Sequence, residues 1–297
     1  MADAGRRRTL MHGVLALVLL ALILLLIIYP FLPGEYDRLA LPLSMMAQVG
    51  SVVSLLLAPV GSLWLVYEVW KRVRHRRTGQ FPPRATLFAF LSLIALFVVG
   101  LVTSVVATMT AGLALGLLSG GLWILTLVAL GRRAWALRRA ESSRFNPVPL
   151  YLIGVPITAV AFQAWVIPLA MESSRSHAIA MSAPLIHDIE RYYTQNEHYP
   201  ASLLAAWRDY SPSVVGIEGY HYQPQGEGYS IFFEQPRFLF DDFGAREFVM
   251  YNAQDQYVMI SHTSWILLLR PAQARANPGW YDSMATSTQH WRRFLFD

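Results

Sequence analysis

Glu68 is the only carboxylate inside any of the long apolar runs of this chain. An ionisable group at membrane depth is what proton relays and transporters use. Glu68 sits near one end of its run, however, as does His12. Its expected state is therefore snorkelling, or pairing with Lys71 or Arg72. Gln48, Thr103, Ser104, Thr108 and Thr110 are polar but uncharged, and such side chains bond helix carbonyls or neighbouring helices.

Other candidate chemistry is thin. His177, His187, His198 and His221 lie near Glu172, Asp188 and Glu190. A helical metal site needs two histidines three or four residues apart. His177 and His187 are ten apart, and His198 lies beyond the helix. No metal or cofactor set is expected. The absence of cysteine excludes disulfides and thiolate chemistry. Gly116–Gly121 reads GLLSGG, near the Gly-x-Ser-Gly nucleophile of rhomboid-type proteases. Leucine replaces the first glycine of that motif, and no histidine at membrane depth can act as base. No catalytic residue is expected.

Gly112, Gly116 and Gly120 recur every four residues, and small residues at that spacing let helix backbones approach closely. Gly100 and Ser104 repeat the pattern upstream. Packing within one hairpin is the first reading, and a homo-oligomer face is the second.

The elements that carry these residues follow from composition. Of 297 residues, 55% are hydrophobic and 14% charged. A soluble domain carries about 25% charged residues, so this is membrane-protein composition. Five segments match the roughly 20 residues that a helix needs to cross a bilayer. They are Leu10–Phe31, Ser44–Trp70, Ala85–Thr108, Ala111–Leu130 and Val148–Met171. No charge separates Arg84 from Arg132. One helix over that distance would be about 70 Å long, so a reversal is expected at Met109–Gly112.

The net charge of +5 divides sharply: residues 1–170 carry 15 basic and 5 acidic side chains, and residues 171–297 carry 9 and 14. Arg6–Arg8, Lys71–Arg77, and Arg132-Arg133 with Arg138-Arg139 fall on one side of a five-span arrangement. By the positive-inside rule that side is cytoplasmic. The expectation is a bacterial inner-membrane protein with the N-terminus inside and residues 171–297 in the periplasm. The basic charge is topological and does not point to nucleic acid.

Beyond Met171 the pattern changes. Ala178, Met181, Leu185, Ile189 and Tyr192 give one apolar face to a helix over Glu172–Asn196. Asp188, Glu190 and Arg191 are placed on its wet side, with Asp188 and Arg191 as candidate interaction surface. Pro184 should kink or restart the helix, with Ser182 as cap. A short second helix should follow Tyr199-Pro200, reaching Trp207. Strands are expected at 219–223, 229–233, 247–251, 256–260 and 265–269. The first four should form two hairpins turning at 224–228 and 252–255, in an antiparallel meander under the helix. The tail Trp280–Phe296 should pack on the sheet, or lie at the membrane interface.

A membrane-crossing helix, an amphipathic helix, Tyr199-Pro200-Ala201-Ser202-Leu203 and a tyrosine-rich meander together resemble type IV pilins and type II secretion pseudopilins. Ile189, Tyr192, Tyr220-His221-Tyr222 and Gly228–Phe233 carry the rest of the likeness, which covers roughly residues 150–260. It implies an α+β pilin-like head. Those families start at a cleaved leader and a glutamate used in filament assembly, and Pro149–Val160 has neither. The expectation is a pilin-like head on a permanent five-helix anchor. It would be a non-enzymatic protein that binds another envelope protein in assembly, scaffolding or sensing. A small transporter or channel, or a toxin-immunity protein, are the alternatives.

Overall fold

The computed structural model describes residues 2–78, 86–137, 146–203, 210–225, 227–238, 246–260, 266–269 and 281–296. The chain divides into a helical unit, Met1–Ile27 with Pro42–Val166, and a sheet unit, Ile28–Leu41 with Ile167–Asp297.

The helical unit is built from α1 (Ala2–Ile28), α2 (Ala40–Val53), α3 (Leu57–Thr78), α4 (Thr86–Ala111), α5 (Leu113–Leu137) and the first part of α6 (Val148–Met181). Among the described residues five helical segments are long and apolar enough to cross a membrane. The second is not one uninterrupted helix, because a 3-10 turn at Ser54–Leu56 separates α2 from α3. Pro59 lacks the N–H that would bond the Leu55 carbonyl, so the regular ladder is broken there.

Helices α4 and α5 meet at a single residue, Gly112, whose φ of +90° favours glycine. The hairpin then closes on small residues. A Cβ on Gly116 would overlap the Thr108 hydroxyl, and one on Gly100 would lie 2.8 Å from the Trp123 ring. Larger side chains at either position would push the two helices apart.

In the sheet unit, α6 ends at Met181 and α7 spans Ala183–Asn196. Pro184 opens α7, where a missing N–H costs least. Ser182 does not cap it. Its backbone is helical, and its hydroxyl donates instead to the Ile179 carbonyl at 2.6 Å. The C-terminus of α7 is closed by Glu197 in the left-handed region, with its N–H bonded to the Tyr193 carbonyl.

Among the described residues seven strands follow: β1 (His221–Gln225), β2 (Gly228–Gln235), β3 (Arg246–Tyr251), β4 (Tyr257–Ile260), β5 (Ile266–Leu269), β6 (Tyr281–Ala285) and β7 (Trp291–Phe296). Five form an antiparallel sheet in the order β1-β2-β3-β7-β6, and β4 pairs with β5 separately. The expected hairpin between β3 and β4 is therefore absent. The free edge of β3 is taken by the tail, with Tyr251 opposite Trp291 and Val249 opposite Arg293. Strand β6 was not legible in the sequence. The second helix expected up to Trp207, and the strand start at Trp265, lie outside the described residues.

Strand alternation turns Tyr229, Ile231 and Phe233 inward. They join Leu185 and Ile189 of α7, with Val249 and Trp291, in one core. The loop between α1 and α2 also belongs to this unit. Gly34 N–H donates to the Ser213 carbonyl, Val215 N–H to Leu32, Gly216 N–H to Pro30, and Asp37 N–H to Val215, at 2.9–3.0 Å.

Candidate functional site

Asp188 is not on the wet side of α7. It is 4% exposed, accepts a hydrogen bond from the Tyr210 hydroxyl at 2.6 Å, and pairs with Arg191 at 2.9 Å. Its place beside Leu185 and Ile189 on the buried face explains this, since residues three and four apart share a helix face. Arg191 is exposed and keeps its candidacy as a contact residue. On the same helix Tyr193, 41% exposed, stacks on Tyr199 at 4.4 Å between ring centroids.

Behind that surface lies a layer of tyrosines around Glu190. The buried Tyr229 hydroxyl donates to Glu190 at 2.8 Å, and Tyr199, Tyr222 and Tyr251 surround the Tyr229 ring. Burial pushes the Tyr222 phenol up to about 12, with smaller contributions from Tyr199, Glu190 and Tyr192. Burial, then the bond to Glu190, raises Tyr229 as well. These phenols are kept neutral and work as hydrogen-bond donors. Tyr222 donates to the Pro200 carbonyl at 2.7 Å, which holds the Tyr-Pro break against the sheet.

A second polar cluster was not anticipated. Glu247 is fully buried, and its carboxylate accepts hydrogen bonds from Arg175 of α6 at 3.0 Å and Arg293 of β7 at 2.9 Å. Arg237 approaches to 3.9 Å, and Glu172 pairs with Arg175. The available signal was the inward phase of Glu247 with Val249 and Tyr251 along β3. An acid there requires cationic partners from other elements.

The third feature is an open depression of about 400 Å³ lined by Asp255, Tyr257, Thr286, Thr288, His290 and Arg292, among others. Tyr257 donates to Asp255 at 2.9 Å, and His290 Nδ1 lies 3.4 Å from the same carboxylate oxygen. Among the described residues no three histidine or acidic side chains are grouped to hold a metal ion. His177, His187, His198 and His221 form no such group.

The glycines of the α4–α5 hairpin are divided in role. Gly116 and Gly120 face Thr108 and Ser104 of the preceding helix, while Gly112 forms the turn with open space where a Cβ would point. Comparison with known proteins gives no matching family model, no matching curated protein and no matching solved structure.

Proposed function

We propose that this chain is a non-enzymatic inner-membrane protein that presents its sheet unit, in the periplasm, to another envelope protein. The observation that carries the reading is the backbone ladder between residues 30–37 and 213–216. It makes the segment between the first two apolar helices an integral part of the sheet unit. Three chain connections therefore enter that unit from apolar helices: from α1, to α2 and from α6. A domain on a flexible tether needs one. A domain held at three points suits scaffolding or sensing, where a captured partner must be felt by the helices.

The pilin-like character of the unit belongs to the same proposal. It is supported by Leu185 and Ile189 of α7 sharing a core with Ile231 and Phe233 of an antiparallel sheet. The exposed Arg191 and stacked Tyr193 supply the contact chemistry, since arginine and tyrosine are enriched where interfaces concentrate their energy. A photo-crosslinking residue at Tyr193 of the full chain in its native membrane tests this. A protein adduct that disappears when Arg191→Glu is added supports the reading. Adducts unaffected by Arg191→Glu, or none, contradict it.

A further inference from the structure

The depression lined by the β3–β4 and β6–β7 turns holds two opposite charges that do not pair with each other. Its volume is about 400 Å³, and Asp255, Tyr257, His290 and Arg292 are among its lining residues. Tyr257 donates to Asp255 Oδ1 at 2.9 Å, and His290 Nδ1 lies 3.4 Å from the same oxygen. Asp255 Oδ2 accepts no hydrogen bond among the described residues. Arg292 donates through Nε to the Ser283 hydroxyl at 2.7 Å. Its two Nη groups meet no acceptor and no carboxylate among the described residues.

Both charges reach one hydroxyl. Burial raises the Tyr257 phenol first, then its bond to Asp255, whereas Arg292 lowers it. The rim around them is fixed. Asp255 and His290 are non-glycine residues held in the left-handed region, with φ of 55° and 62°. Such backbone persists only where its surroundings enforce it. Here the Asn252 amide donates to the His290 carbonyl and the Asp255 amide to the Asn252 carbonyl, both at 3.1 Å. The Asn252 side chain accepts from the Gln254 and Gln256 amides at 2.9 and 3.0 Å. The two turns are thereby tied together, and a site ordered before its ligand arrives loses less on binding.

We propose that this depression binds a small zwitterion, an amino acid or short peptide, with its ammonium at Asp255 and its carboxylate at Arg292. A guanidinium presents paired N–H donors that match a carboxylate, and a carboxylate accepts from an ammonium. An anion or a cation alone would satisfy one of the two groups and face a like charge at the other. A neutral ligand would displace water from both without replacing it by charge. The volume falls in the roughly 300–1,000 Å³ range of small-molecule sites. The site shares no lining residue with the Arg191 and Tyr193 surface and does not rest on the protein-capture reading.

The test is isothermal titration calorimetry on the full chain in nanodiscs. The probes are L-alanine, dialanine, N-acetylalanine and alaninamide, of which the last two each keep a single charge. Alanine or dialanine binds saturably, and the tighter of the two identifies a free amino acid or a peptide as the source. N-acetylalanine and alaninamide bind at least about tenfold more weakly, as the loss of one hydrogen bond between charged groups requires. Asp255→Asn removes the preference for a free ammonium and keeps that for the carboxylate, and Arg292→Gln does the reverse. If either variant fails to fold, discrimination among the probes by the unaltered chain decides. Absence of saturable binding by both zwitterions overturns the proposal. So does a single-charge probe that binds as tightly as alanine, or an equal loss for every probe in a folded variant.

Discussion

The Gly216 amide donates to the Pro30 carbonyl at 2.9 Å, and a Cβ on Gly216 would lie 2.6 Å from that same oxygen. This contact joins the α1–α2 loop to the sheet unit, and it tolerates no side chain. Gly216→Ala should cost about 1–3 kcal/mol through overpacking against Pro30 and Pro236. Thermal denaturation of the full chain reads it. An unchanged midpoint would mean that the loop can yield freely.

The same ladder governs what can be cut away. Residues 173–297 are numerous enough to bury a core, and on sequence alone they are expected to fold as a soluble monomer. The structure adds residues 28–41 to that unit. A fragment of 173–297 should therefore be less stable than one carrying residues 28–41 on a flexible linker. Paired circular dichroism melts check this, and equal stability would remove the loop from the folding unit.

On α7 the two faces respond differently from what the sequence pattern suggests. Ile189→Ala should cost roughly 2–5 kcal/mol, because Ile189 is fully buried in the core. Asp188→Ala should also destabilise, by about 1–3 kcal/mol, since it strands the Tyr210 hydroxyl. Arg191→Glu should destabilise as well, because it removes the cation paired with the buried Asp188 carboxylate and sets a second acid beside it. Chemical denaturation of each variant reads all three. A silent Asp188→Ala would return that residue to the surface.

The misreading of Asp188 shows where sequence patterns stop. Periodicity assigns an acidic residue between apolar ones to the solvent side, yet Asp188 is buried because Tyr210, twenty-two residues on, donates to it. Glu247 was hidden for the same reason, with partners on α6 and β7. The tail was ambiguous because Arg292-Arg293 interrupts the alternation of Trp291–Phe296. Arg293 reaches inward to Glu247, while Phe294, on the other face, is covered by Tyr257. The five apolar helices and the reversal at Gly112 were legible because hydropathy and length alone define them.

The tyrosine layer makes the sheet unit sensitive to alkali. Burial pushes the folded Tyr222 phenol up to about 12 from its ordinary value of 10.0. The stabilisation this gives is full below pH ~10, where both states are protonated, and is lost as pH rises toward 12. Tyr220, Tyr229 and Tyr257 are raised in the same direction. Tyrosinate absorbance and the circular dichroism melt should therefore change together above pH ~10. Full ionisation of the tyrosines with the fold intact would contradict the buried layer.

The central claim is that the sheet unit stands on the side of the membrane opposite the arginine-rich loops. Fusions of a reporter active only in the cytoplasm, and of one active only in the periplasm, at Arg76 and after Asp297 test it directly. The account predicts a cytoplasmic signal at Arg76 and a periplasmic signal at Asp297. Signals from the same compartment at both positions would contradict it.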